Sequence, residues 1–232
     1  MPSLSTTSPP PSAPFACRAL IFDLDGTLAD TAADIAVAVD RTLADLGAAA
    51  AGEARVRTWL GLGMKVLIER ALCHAGLEMA VPVERAEALF VDHYGREFAV
   101  RTTLYPGVRD TLPQLAHCGL RLAVCTNKPR RFTLPLLQRL DIAALFEAVA
   151  AGDDFPTRKP DPAPLLNLAH QLDTSAAGCL LVGDSRTDVA AARAAGMPVV
   201  TVSYGYNEGE PIARSHPDAI IDDFRQLPAL IV

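Results

Sequence analysis

Short apolar runs that break off into polar, charge-bearing turns limit what this chain can fold into. Arg18–Phe22 runs into FDLDGTL at 22–28, Leu120–Cys125 into CTNK at 125–128, and Cys179–Val182 into GDSRTD at 183–188. A fourth polar stretch, RKPDP, lies at 158–162. Runs of this length bounded by turn residues read as buried strands. Val199–Val202 and Ala219–Ile221 have the same character, and Phe146–Ala150 is a weaker case. Helical patterns fill about 107–118, 130–140, 162–172 and 186–195. Strands alternating with helices predict an α/β fold with a parallel sheet and right-handed crossovers. In such a sheet the carboxyl ends of the strands form the ligand-binding rim. That is where Asp23, Asp25, Thr126, Lys159 and Asp184 are expected.

One region breaks the alternation. From about 31 to 104 only helical periodicity is present, with amphipathic helices predicted at Asp34–Leu46, Val56–Ala75 and Pro82–Arg101. The expected organisation is therefore a core formed by 18–30 and 105–232, with a helical insert at 31–104. Residues 1–17 open with a Ser-, Thr- and Pro-rich stretch that reads as a disordered tail. It lacks the basic start and apolar run of a signal peptide.

Net charge is −6 over 232 residues. This argues against a general nucleic-acid or anionic-membrane binder, which depends on clustered cations. No apolar run reaches the ~18–20 residues that span a membrane. The five cysteines show no CxxC pairing or zinc spacing, so reduced thiols in a cytoplasmic protein are expected.

Asp23 and Asp25 stand two apart directly after a strand, and extended backbone would aim both to one side. Gly26 permits a tight turn, and Thr27 can bond the backbone within it. Asp184 and Asp188 bring further negative charge to the same rim. Several carboxylates cannot share a site in ionised form without a cation. Oxygen-only ligands suit a hard ion, Mg²⁺ above all, because it commonly joins carboxylates to a substrate phosphate. Asp184 could instead cap the helix from 186. Lys159, one of three lysines with Lys65 and Lys128, can bridge a nucleophilic carboxylate and a phosphate oxygen. Thr126 and Asn127, ahead of a helix start, can form an anion site. The set suits phosphoryl transfer through an aspartyl intermediate, with a small phosphorylated molecule as partner.

In this order the four motifs resemble the haloacid dehalogenase-like superfamily of phosphatases, over about residues 18–222. LADTAADIAVAVDRTLADLG, RTWLGLG, LYPGV, CTNKP, RKPDPAPLL, GDSRTD and YGYNEGEPI are similar to the bacterial phosphoglycolate phosphatase family. One cap position departs from that family's loop, where Leu62 replaces an Asn. The resemblance implies a Rossmann-like core with a mobile cap, a cytoplasmic monomer or homodimer, and hydrolysis of a phosphomonoester. It implies Asp23 as nucleophile, Asp25 as general acid and base, and Thr126, Asn127 and Lys159 as phosphoryl-holding groups. It also implies Mg²⁺ on Asp23, the Asp25 carbonyl and Asp184, with Asp188 orienting a bound water. Gly26 and Thr27 fall within the substrate-binding loop. Arg57 and Lys65, flanking WLGLG, are the expected cap groups for a substrate carboxylate. A dehalogenase would not need Asp25. A phosphonatase would need a cap lysine, for which Lys65 alone qualifies. A mutase would pass the phosphoryl group to a sugar, and a non-catalytic binding module would not need the carboxylates. Phe90, Tyr94 and Phe98, at helical spacing, read as cap core; Trp59 reads as core by default, with a cap-interface aromatic as the alternative.

Overall fold

A computed structural model describes residues 14–232. β1 (Ala19–Phe22) ends in the first carboxylate loop, and β2 (Ala29–Asp30) leads out of it. Four helices follow: α1 (Ala32–Asp45), α2 (Glu53–Arg57), α3 (Met64–Ala75) and α4 (Val83–Glu97). β3 (Thr103–Leu104) returns the chain to α5 (Val108–His117), β4 (Arg121–Cys125), α6 (Arg130–Arg139) and β5 (Ala148–Ala150). The remainder is α7 (Ala163–Gln171), β6 (Cys179–Gly183), α8 (Arg186–Ala195), β7 (Val199–Val202) and β8 (Ala219–Ile221).

Six strands form one parallel sheet in the order β5-β4-β1-β6-β7-β8. Chain order reverses beside β1, the crevice where ligands bind in open α/β sheets. Register aligns the rim, because Phe22 pairs with both Val124 and Val182. The residues that follow, Asp23, Thr126 and Asp184, therefore emerge at nearly one level. Side chains alternate across the sheet. Leu20, Phe22, Leu122, Val124, Leu180 and Val182 fill one face, and Ala19, Ile21, Ala123, Cys125, Cys179 and Leu181 the other. Burial on both faces explains why the strands are continuous apolar runs.

α1 to α4 gather a separate apolar cluster around Val39, Leu43, Val56, Ile68 and Phe90. Two chain passages join this insert to the sheet, and they pair antiparallel as β2 and β3, with Ala29 opposite Leu104 and Asp30 opposite Thr103. Asp34 fastens the return. Its carboxylate accepts from Arg101 N at 2.9 Å, Thr102 N at 2.9 Å and Thr102 Oγ1 at 2.6 Å.

Two expectations need correction. The single helix expected over Val56–Ala75 is two, broken across 58–63, where Gly61 and Gly63 take φ of 104° and 88°. These angles lie in the region that glycine tolerates best, so the turn ends one helix and starts the next. The helix expected to reach Arg101 stops at Glu97, because 101–102 turns to bond Asp34. Of the expected tail, residues 1–13 lie outside the described residues. Phe15 already pairs with Ile231, ahead of the boundary expected at 17.

Candidate active site

Asp23 leaves the end of β1 with its N–H bonded to Val182 O at 2.9 Å, which fixes its backbone between β1 and β6. Its side chain is buried. Lys159 Nζ stands 2.9 Å from Asp23 Oδ1 and 2.6 Å from Asp188 Oδ1. The first contact is an ion pair without aligned hydrogen-bond geometry, so Asp23 Oδ1 retains unused acceptor capacity. Burial drives the Asp23 pKa up to about 7; Lys159 opposes this, and Asp188 and Asp25 add to it. Burial also works against a charged Lys159, but Asp188 and Asp23 outweigh it and raise its pKa. The ammonium is therefore a fixed cation in the site.

Asp184 is held from several sides. Oδ1 accepts from Thr27 Oγ1 at 3.0 Å, and Oδ2 from Tyr206 N at 2.7 Å. Backbone packs so closely that a Cβ on Gly26 would come within 2.3 Å of Oδ2, and one on Gly205 within 2.1 Å of Asp184 Cβ. Burial, Asp188 and Asp23 together hold the Asp184 pKa well above the usual carboxylate range. Asp184 does not cap α8. That role falls to Ser185, whose Oγ accepts from Asp188 N while Asp188 Oδ2 accepts from Ser185 N at 3.1 Å, a capping box. With Ser185 Oγ also donating to Oδ2 and Lys159 on Oδ1, both Asp188 oxygens are already engaged.

Asp25 accepts from Thr31 Oγ1 at 2.6 Å and from Lys128 Nζ at 3.1 Å. Lys128 is buried, with its ammonium 4.8 Å from the centre of the Tyr94 ring. Burial opposes its charge, but Asp25 and Tyr94 overcome that and raise its pKa. Sequence reasoning noted Lys128 without giving it a role, although its place directly after Thr126 and Asn127 was an available signal.

Carboxylate oxygens of Asp23, Asp184 and Asp188 lie within 4.8 Å of one another. The unused capacity of Asp23 Oδ1 and the raised pKa values of Asp23 and Asp184 are what an oxygen-ligated divalent cation would relieve. The donor set fits Mg²⁺.

The other expected groups are placed as follows. Thr126 lines the cavity above Asp23, and its Oγ1 accepts from Lys128 N at 3.2 Å. Asn127 commits its amide group to main-chain carbonyls, Gly61 O and Lys159 O, both at 3.0 Å, which ties the cap loop to the core. The hydroxyl of Thr27 goes to Asp184 and Gly26 backs the same carboxylate, so neither side-chain position faces the cavity. Arg57 pairs with Asp30 at 3.0 Å and Glu53 at 2.9 Å, over the Tyr206 ring. Lys65 is exposed on α3 and does not line the cavity. Trp59 is half-buried beside His74. Phe90 and Tyr94 stack within the cap core and also wall the cavity.

The family model for haloacid dehalogenase-like hydrolase matches residues 20–202. A phosphoglycolate phosphatase of Yersinia pseudotuberculosis is 48% identical over 217 residues, covering 93% of this chain and 94% of that protein. One from Pseudomonas syringae pv. tomato is 45% identical over 214 residues, covering 90% of this chain and 78% of that protein. A crystal structure described as a predicted phosphoglycolate phosphatase from Haemophilus somnus superposes with a TM-score of 0.88 at 37% identity, covering 92% and 97% of the two chains. A family model that spans most of the sheet, with relatives near half identity over almost the full length, places this chain in the haloacid dehalogenase-like hydrolase family.

Proposed function

We propose that this chain hydrolyses a small phosphomonoester, 2-phosphoglycolate, to glycolate and phosphate, with Mg²⁺ as cofactor. The observation that carries the reaction class is the pairing of two carboxylates in different settings. Asp23 is buried against Lys159 with acceptor capacity to spare, while Asp25 is held by Thr31 and Lys128 on the cavity side. One is suited to attack and the other to proton transfer.

Asp23 attacks phosphorus in line, forming the Asp23–phosphorus bond as the ester oxygen leaves. Asp25 gives its proton to that oxygen and becomes a carboxylate. It then takes a proton from water, which attacks the aspartyl phosphate and releases phosphate, restoring Asp23. Lys159 places positive charge beside the attacking carboxylate, and the Thr126 hydroxyl donates to a phosphoryl oxygen. The side-chain donors of Asn127 are committed, so its contribution is to fix the loop and the main-chain N–H groups ahead of α6. Asp23, the Asp25 carbonyl and Asp184 would hold Mg²⁺, and Asp188, its oxygens engaged by Ser185 and Lys159, would orient Lys159 rather than the bound water that the resemblance implies. When bound, Mg²⁺ supplies charge that lets an anionic ester approach a carboxylate.

Size and lining favour a small ester. The cavity encloses about 60 Å³ between Asp23, Asp25 and Thr126 on one side and Leu60, Phe90 and Tyr94 on the other. A water needs about 10–15 Å³ on this measure, so the space suits a group of a few heavy atoms. The relatives above carry the phosphoglycolate phosphatase name. The reading implies a cytoplasmic monomer or homodimer; among the described residues no helix is long and apolar enough to cross a membrane.

A panel of phosphate esters assayed with Mg²⁺ tests this reading. Phosphoglycolate should give the highest kcat/KM, above sugar phosphates and p-nitrophenyl phosphate. A sugar phosphate that outranks it would replace the substrate and leave the reaction class standing.

A further inference from the structure

A substrate that carries a carboxylate beside its phosphate has to be told apart from other esters by a group away from the phosphoryl site. The structure narrows the choice. Arg57 is spent on Asp30 and Glu53, Lys65 points to solvent, and Lys159 is held by Asp23 and Asp188. Among the described residues that line the cavity, Lys128 is the one cation.

Two features mark Lys128 and its neighbour as a receiving site. An ammonium has three donors; Lys128 directs aligned hydrogen bonds to Asp25 at 3.1 and 3.4 Å and also lies close enough to the Tyr94 hydroxyl for the two to shift each other's titration. Tyr94 supplies a buried hydroxyl that makes no aligned hydrogen bond, its strongest charged neighbour being the Lys128 ammonium. Buried polar groups are nearly always paired, so an orphan beside a cavity calls for an explanation. The ammonium sits over the Tyr94 ring, so cation and hydroxyl belong to the same wall. Around them Leu67, Phe90 and Phe132 are apolar and exclude competing water. In such surroundings a charge-assisted bond is stronger than in solvent.

We propose that Lys128 and the Tyr94 hydroxyl together bind the second anionic group of the substrate, a carboxylate set one or two bonds from the phosphate ester. Lys128 comes from the core and Tyr94 from α4 of the cap. A ligand bridging them ties substrate identity to cap position. This inference rests on the phosphoglycolate reading above.

The test compares phosphoglycolate with p-nitrophenyl phosphate, which lacks the carboxylate, in the wild type, Lys128→Met and Tyr94→Phe, all with Mg²⁺. Lys128→Met removes a partner of Asp25 as well as the carboxylate contact, so kcat should fall with both substrates, while KM should rise at least about tenfold for phosphoglycolate alone; Tyr94→Phe should raise that KM several-fold. With p-nitrophenyl phosphate KM should stay close to the wild-type value in both variants, so the kcat/KM ratio between the substrates falls beyond any loss in kcat that they share. If Lys128 serves only to position Asp25, both substrates lose equally and through kcat; that result overturns the proposal. Should Lys128→Met not fold, Tyr94→Phe decides alone, because it removes one oxygen and keeps the ring. A wild type with no preference for phosphoglycolate overturns this inference and the substrate reading together. A wild type that prefers it, with an unchanged ratio in the variants, overturns the inference alone.

Discussion

Gly205 is where one methyl would disturb the acidic cluster most directly. Its added Cβ would meet the Asp184 Cβ at 2.1 Å and the carboxylate at 2.4 Å, so Asp184 has to move for alanine to fit. Asp184 is fixed by Thr27 and Tyr206 N, and displacing it would misdirect an oxygen proposed to hold the metal. Changes that disturb the groups orienting a metal ligand typically cost 10–100-fold in affinity. Gly205→Ala should accordingly raise the Mg²⁺ concentration for half-maximal activity by at least about tenfold, read from a Mg²⁺ titration of turnover. An unchanged titration would show that Asp184 is not positioned by this contact. The carboxylates, Thr126 and Lys159 were legible in the sequence because each follows an apolar run or opens a helix. The partners that tune them were not. Thr27 reaches Asp184 across 157 positions, and Lys128 reaches Asp25 across 103. No local pattern reports contacts of that span.

At the scale of elements, the junction between sheet and insert rests on Tyr206, in the loop after β7. Its hydroxyl accepts from Thr31 N at 2.8 Å and Ala32 N at 3.1 Å, at the start of α1, and donates to Asp30 at 2.8 Å. It serves as the N-terminal cap that the Thr31 side chain does not provide, since that hydroxyl goes to Asp25. Glu208, two residues on, pairs with Arg70 of α3 and Arg186 of α8, a second tie between insert and core. Removing one hydroxyl that serves buried N–H groups costs about 1–3 kcal/mol. Tyr206→Phe should lose stability in that range by urea denaturation, and a change below about 0.5 kcal/mol would contradict the capping role. The six strands of the parallel sheet were readable to within about two residues, because runs buried on both faces leave a plain apolar signature; the short β2 and β3, two residues each, were not. The break between α2 and α3 was written in Gly61 and Gly63, yet helical periodicity on both sides masked it. The junction at Tyr206 lies 175 positions from Thr31 and left no trace in the sequence pattern.

For the whole molecule, the buried acidic cluster sets a pH dependence. Burial raises the Asp23 pKa to about 7 in the folded chain, against 3.8 for the unfolded chain. Between these values the folded state binds more protons than the unfolded state, so stability falls as pH rises from about 4 to about 7. Asp184 contributes with the same sign. A cation that binds only the folded chain offsets the loss and competes with the proton. Thermal unfolding should therefore show a larger rise in Tm on adding Mg²⁺ at about pH 8 than at about pH 5. Equal shifts at both values would mean that Mg²⁺ binds elsewhere.

The central claim is that Asp23 carries the phosphoryl group during turnover, and a quenched reaction tests it most directly. If Asp25 is the general acid and base proposed, Asp25→Asn should slow transfer of the phosphoryl group to water more than its formation when the leaving group is activated, as in p-nitrophenyl phosphate. Acid quenching within a single turnover, followed by mass spectrometry of the peptide that contains Asp23, should find a phosphorylated aspartate in Asp25→Asn. Asp23→Asn should show no such peptide and no turnover. Phosphate release by Asp23→Asn near the wild-type rate, or a burst of p-nitrophenol from Asp25→Asn with no phosphopeptide at Asp23, would contradict the account.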